Sequence, residues 1–203
     1  MNEIKTVVFD YGGVISQPQD VKLFEKLRDI LGDTTDTFDN VYREMRNDYD
    51  AGKISAGEYW QLIAEKLQSK KLSDAEIEEL TALDVKSWAV INSGAIKLID
   101  ELKNKKIKLG ILSNMTFDSL TPVMNSEWIK YFDVRVFSCE EKICKPDRRI
   151  YEILVERISE KPENILFIDD VEANIESAKK TGLNAILFTN LNKLAENLST
   201  FFK

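Results

Sequence analysis

The chain has 203 residues, 43% hydrophobic and 31% charged, enough to bury a core in one large domain or one domain with an insertion. A net charge of -7 leaves no general basic surface for phosphates, so no nucleic-acid partner is expected; no apolar run approaches membrane-span or signal-peptide length. Cys139 and Cys144 match no zinc or redox spacing, which points to a reduced cytoplasmic setting, and the lack of histidine removes Ser-His-Asp, Cys-His and histidine-metal chemistry.

The first predicted strand covers 6–10 and runs straight into VVFDYGGVI, 7–15. A buried-strand pattern there ends on a single carboxylate, Asp10, and the pair Gly12-Gly13 lets the backbone turn sharply and approach a ligand. Residues 16–88 show no strand pattern. Ser55-x-x-Glu58 and Ser73-x-x-Glu76 are capping boxes, and Phe24, Leu27 and Leu31 make a helical stripe. Because this stretch interrupts the chain just after the first strand, it is expected to form a helical cap above that strand's carboxyl end.

Beyond it, further strands are expected over 108–114, 134–138, 164–169 and 184–188, with helical periodicity between most of them. Ile96, Ile99 and Leu102 mark a helix over 93–104. Tyr151, Leu154, Val155 and Ile158 mark one over 150–159, and Gly182 stops one over 171–181. Alternating strands and helices give an α/β fold, a doubly wound parallel sheet covered on both faces, with ligands beyond the carboxyl ends of the strands. The expected division is an α/β core of 1–15 and 89–203 and a helical cap of 16–88.

The strand ends carry the polar residues of interest. LSN puts Ser113 and Asn114 at the same mouth as Asp10, where hydroxyl, amide and backbone N–H groups can cradle phosphate oxygens. Lys145-Pro146 precedes a helix opening at Asp147, which fixes the lysine's backbone. ILFIDD ends on Asp169 and Asp170, with Asn174 on the next helix. One aspartate can be a cap, but adjacent carboxylates call for a cation or a lysine. Oxygen ligands without histidine or thiolate favour Mg²⁺.

Taken in chain order, DYGGV, LSN, KP and DDVEAN resemble the four motifs of the haloacid dehalogenase superfamily of aspartate-nucleophile phosphohydrolases, and the resemblance covers nearly the whole chain. Within it, GKIS, LSN, KPDRRIY and DDVEANIESAKKTG look like the bacterial α-D-glucose-1-phosphate phosphatase type. The resemblance implies a Mg²⁺-dependent phosphatase of a small phosphorylated metabolite, plausibly a sugar phosphate. Asp10 would be the nucleophile and Lys145 the charge-balancing catalytic group. Ser113, Asn114 and Lys145 would bind the phosphate, and Asp10, the Gly12 carbonyl and Asp170 would hold the metal.

One departure matters. Most phosphatases of this superfamily carry a second aspartate where this chain has Gly12; it protonates the leaving group and later activates water, help worth ~10²–10⁴-fold. The glucose-1-phosphate type shares the glycine, and an anomeric leaving group needs less protonation. Asp50 in YDAGKIS is the candidate replacement, Tyr11 a weaker one; a solvated loop carboxylate is the plainer reading of Asp50. Tyr49, Tyr59 and Trp60 could stack on a sugar, although such spacing more often marks cap core. Two other readings stay open: a non-catalytic phosphate-binding or regulatory module, and a 2-haloacid dehalogenase, in which a metal would be unneeded.

Overall fold

The computed structural model describes residues 3–33 and 37–202. The chain enters through β1 (Thr6–Phe9), whose four residues TVVF are all buried. A strand covered on both faces takes β-branched and aromatic residues throughout, as here. Tyr11–Ile15 then coils tightly, with Gly13 in the left-handed region at φ 72. Ser16 forms an antiparallel bridge with Ile91, so the chain leaves and re-enters the sheet layer at one point.

Between those two residues lie α1 (Val21–Leu31), α2 (Phe38–Asp50), α3 (Ala56–Lys66) and α4 (Asp74–Ser87). Both expected capping boxes form, with Ser55 and Ser73 exchanging bonds with Glu58 and Glu76 and so satisfying N–H groups that the first turn leaves open. The four helices bury a core of their own, with Leu27, Phe38, Tyr59, Trp60, Ile63 and Leu80 at its centre. Among the described residues, the expected 16–88 segment holds these helices and no strand of the sheet; of the expected ranges, residues 1, 2, 34–36 and 203 lie outside the described residues.

After Ile91 come α5 (Ser93–Asn104), β2 (Lys108–Ser113), α6 (Phe117–Met124), β3 (Val134–Phe137) and α7 (Ser138–Glu141). Then follow α8 (Arg148–Ile158), β4 (Ile165–Asp169), α9 (Glu172–Lys180), β5 (Asn184–Leu187) and α10 (Leu191–Phe201). All strand pairs are parallel, in the order β3-β2-β1-β4-β5, which is the doubly wound sheet expected from the alternation.

Alternate residues of each strand feed opposite cores. Phe9, Ile111 and Ile168 pack with Ile99 of α5 and Leu198 of α10. Val8, Leu112 and Phe167 pack with Leu154 of α8 and Ile175 of α9. The helices α6 and α10 extend the elements expected from the sequence. In α10 the buried pair Leu194 and Leu198 supplies a stripe of only two residues, a weak periodic signal. Among the described residues no helix is long and apolar enough to cross a membrane.

Candidate active site

The parallel registers bring three strand ends together. Phe9 pairs with Ile111 of β2 and Ile168 of β4, and one residue further on Asp10 and Asp169 stand side by side. The Asp10 N–H donates to Ile168 O at 2.9 Å, so the carboxylate is fixed where central β1 stops.

Lys145 reaches this point from the loop before α8. Its buried ammonium donates to Asp169 Oδ2 at 2.6 Å and to Leu112 O at 3.1 Å, and it stands 2.8 Å from Asp10 Oδ1. The approach to Asp10 has ion-pair distance without hydrogen-bond alignment, so Asp10 Oδ1 is a buried oxygen with no aligned donor. Burial drives Asp10 up to about 7; Lys145 pulls against this, and Asp169 and Asp170 add to it. Burial works to lower Lys145, but Asp10 and Asp169 outweigh it and hold the ammonium above its usual range.

The two aspartates of the fourth motif differ in surroundings. Asp169 is fully buried and committed: its Oδ1 accepts from Val171 N at 2.8 Å, and Asn174 Nδ2 reaches both oxygens at 3.0 and 3.1 Å. Asp170 lies against Gly13, where a Cβ would collide with its carboxylate; glycine is required there both by this approach and by φ 72. Partial burial and the neighbouring Asp169 push the Asp170 carboxyl up.

Oxygens of Asp10, Asp169 and Asp170 lie within 4.8 Å of one another, facing one ammonium. Three clustered carboxylates facing one ammonium leave surplus negative charge, and this all-oxygen donor set fits a hard divalent cation such as Mg²⁺. Since Asp169 is taken up by Lys145, Val171 and Asn174, Asp10 and Asp170 are the carboxylates left open to it.

Ser113 is buried at the end of β2, with only a long 3.4 Å contact to Asn114 O. Asn114 borders the cavity, but its amide grips the lysine's main chain: Nδ2 donates to Lys145 O at 2.9 Å, and Oδ1 accepts from Lys145 N at 2.8 Å. The asparagine therefore aims Lys145.

A cavity of about 560 Å³ opens above Asp10, between the strand ends and the helical layer. Trp88 and Trp128 give it aromatic surface. Tyr11 ties them together, stacking on Trp128 at 5.9 Å and donating to Trp88 O at 3.0 Å. The helical side contributes Gln19, Tyr42, Arg46 and Asp50. Arg46 Nε donates to Asp50 Oδ1 and Nη1 to Asp84 Oδ2, both at 2.7 Å. Burial raises the Asp50 carboxyl above its usual range, even against Arg46.

The sugar-stacking option for Tyr49, Tyr59 and Trp60 is not what the structure shows. Tyr59 and Trp60 are 0% exposed in the helical core, and buried Tyr49 donates to Asp118 Oδ2 at 2.9 Å. Trp88, Trp128 and Arg46 are among the lining residues not singled out from the sequence. For Arg46 a signal exists, its place four residues before Asp50 on one helix face; the tryptophans reach the cavity only through tertiary packing.

A family model described as haloacid dehalogenase-like hydrolase matches residues 4–182. A phosphorylated carbohydrates phosphatase of Thermotoga maritima is 33% identical over 96 residues, 47% of this chain and 44% of its own length. A D-ribitol-5-phosphate phosphatase of Bacteroides thetaiotaomicron is 28% identical over 88% of this chain and 89% of its own. A 2-haloacid dehalogenase of Pseudomonas is matched as well, at 24% identity over 97% of this chain and 89% of its own. The chain spans less than half the length of the three curated relatives matched first, at 44%, 8% and 37%. Among solved structures, a haloacid dehalogenase family enzyme of B. thetaiotaomicron superposes with TM-score 0.78 at 22% identity, over 93% of this chain and 95% of that one. That enzyme has also been solved with magnesium and inorganic phosphate.

Proposed function

The chain belongs to the haloacid dehalogenase-like hydrolases, and from that membership we propose that it is a Mg²⁺-dependent phosphatase of a small phosphorylated metabolite, a sugar or polyol phosphate. The carrying observation is Asp10 itself: a strand-end carboxylate with one buried oxygen lacking a donor, one ammonium beside it, and a cavity above it.

An Asp10 oxygen attacks phosphorus in line, giving an aspartyl-phosphate that water then hydrolyses. Lys145 offsets the negative charge that would otherwise repel the incoming carboxylate, and Asp169 and Asn114 hold the lysine in place. Asp10, Asp170 and the Gly12 carbonyl would hold the cation. When bound, it neutralises phosphate charge and orients the group for transfer. The cavity's two tryptophans and its polar helical side suit a leaving group with an apolar face and several hydroxyls. The phosphatases among the relatives, which act on phosphorylated carbohydrates and on ribitol 5-phosphate, favour the same class.

Phosphate release from p-nitrophenyl phosphate and a sugar-phosphate panel, with Mg²⁺ or with EDTA, tests the reading. Turnover that needs Mg²⁺ and vanishes in Asp10→Asn supports it; turnover surviving that substitution removes the nucleophile. Release of halide from a 2-haloacid without phosphate release would favour the dehalogenase reading, and neither activity the binding module.

A further inference from the structure

Gly12 brings no proton-moving group, and the position borders the indole of Trp88. A Cβ at residue 12 would stand 3.4 Å from Trp88 Cζ3, in van der Waals contact with the indole ring. A proton for the leaving oxygen must come from elsewhere in the cavity lining. Asp10, Asp170 and Lys145 are occupied by attack, cation and charge balance. The lining arginines, Arg43 and Arg46, keep their protons at any working pH. The hydroxyls of Tyr11 and Tyr42 already donate, to Trp88 O at 3.0 Å and to Asp84 Oδ1 at 2.6 Å, and burial pushes both well up.

Asp50 remains. It ends α2 and is tied to the sheet side, where Ser138 Oγ donates to Asp50 O at 2.6 Å. Its Oδ1 accepts from Arg46 Nε at 2.7 Å, while Oδ2 accepts no hydrogen bond from the described residues. Arg46 is itself fixed by Asp84 Oδ2 at 2.7 Å and the Tyr42 hydroxyl at 2.7 Å. One carboxylate oxygen is thus clamped by Arg46, and Asp50 lines the cavity that Asp10 also lines.

We propose that Asp50, braced by Arg46, is the general acid and base that replaces the aspartate absent at position 12. This rests on the phosphatase reading above. As the Asp10 oxygen forms its bond to phosphorus, the bond from phosphorus to the leaving oxygen breaks. That oxygen keeps the electron pair and takes the Asp50 proton. The Asp50 carboxylate then takes a proton from the water that attacks the aspartyl-phosphate. The bond from phosphorus to Asp10 breaks, phosphate leaves, and Asp50 is protonated again. Burial favours its protonated form, aided by Asp84 of α4; Arg46, and Lys145 from the loop before α8, oppose it. Cys144 of that loop and Tyr59 of α3 also lie within its field.

The test is the dependence of rate on leaving group. In the Mg²⁺-loaded protein, kcat/KM is measured for p-nitrophenyl phosphate, phenyl phosphate and ribitol 5-phosphate, in wild type, Asp50→Asn and Asp50→Glu, with thermal melts as a folding check. Asp50→Asn is expected to lose about 10²-fold or more on ribitol 5-phosphate, at least about tenfold more than on p-nitrophenyl phosphate, with Asp50→Glu recovering part of the difference. Equal losses across the three substrates, or none, would overturn the assignment. Should Asp50→Asn not fold, the wild-type pH profile decides: a fall in kcat/KM at high pH for ribitol 5-phosphate, weaker or missing for p-nitrophenyl phosphate, supports Asp50, and identical profiles refute it. If no phosphate ester is turned over, or if Asp10→Asn stays active, the phosphatase reading itself fails and this inference with it.

Discussion

The indole of Trp88 borders Gly12, with Cζ3 and Cε3 at 3.4 and 3.6 Å from where a Cβ would stand. The backbone of Gly12, at φ -65 and ψ 127, would accept any residue. A side chain longer than a methyl would have to pack past the ring.

Gly12→Asp should then destabilise the protein by about 1–3 kcal/mol through overpacking, without gaining an acid. In a Trp88→Ala background the same substitution should cost at least about 1 kcal/mol less. A double-mutant cycle on thermal or urea unfolding measures the difference. Additive effects would show that Trp88 does not exclude the side chain.

Lys145→Met removes the one ammonium between two buried carboxylates. Losing one partner of such a group costs about 3–5 kcal/mol, and activity should fall to background. The cost should be smaller at pH 5 than at pH 8, because Asp10, which burial already pushes up, can take up a proton once the lysine is gone. Denaturant unfolding at both pH values checks this; a pH-independent cost would contradict it.

Burial holds the folded, metal-free Asp10 at about 7 against an ordinary 3.8. A folded-state value raised in this way favours the protein at low pH, and that stability is lost as pH rises from about 4 through about 7. Metal-free Asp10→Asn, which carries no charge there, should melt higher than wild type at pH 8, by an amount on the order of 2–4 kcal/mol, and the gap should close towards pH 4. Mg²⁺ should raise the wild-type melting temperature more at pH 8 than at pH 6, since binding must displace the Asp10 proton. Equal shifts at both pH values would contradict the assignment of Asp10 as a ligand.

Ser55→Ala removes one half of the capping box that starts α3. It should cost about 1 kcal/mol while leaving phosphate release intact, because the bond lies on the exposed side of the helical layer. Loss of activity along with the cap would mean that α3 positions the cavity more directly.

That box is also a case of local structure legible in the sequence. Ser55 and Glu58 need only be three residues apart. The strands were equally legible, since unbroken apolar runs such as VVF and ILFI, ended by polar residues, can only be covered on both faces. Asp10, Ser113, Lys145 and Asp170 could be expected to meet because the loops at parallel strand ends open at one mouth. The Trp88 contact with Gly12 could not be read in the same way. It joins residues far apart in sequence, and a tryptophan at a helix end looks the same whether it lines a cavity or packs a core. The same holds for Tyr59 and Trp60, whose spacing fits either surface and whose burial is decided by α2 packing on α3. Arg46 and Asp50 were legible as a helical pair, whereas Asp84, which fixes Arg46 from another helix, was not.

The central claim is a phosphoryl group carried on Asp10. Protein turning over p-nitrophenyl phosphate with Mg²⁺ is quenched, reduced with borohydride to trap any acyl phosphate, and digested for peptide mass spectrometry. Homoserine in place of aspartate at position 10, absent without substrate, is the predicted result. An active protein whose peptide around residue 10 stays unchanged, or whose label falls on another carboxylate, would contradict it.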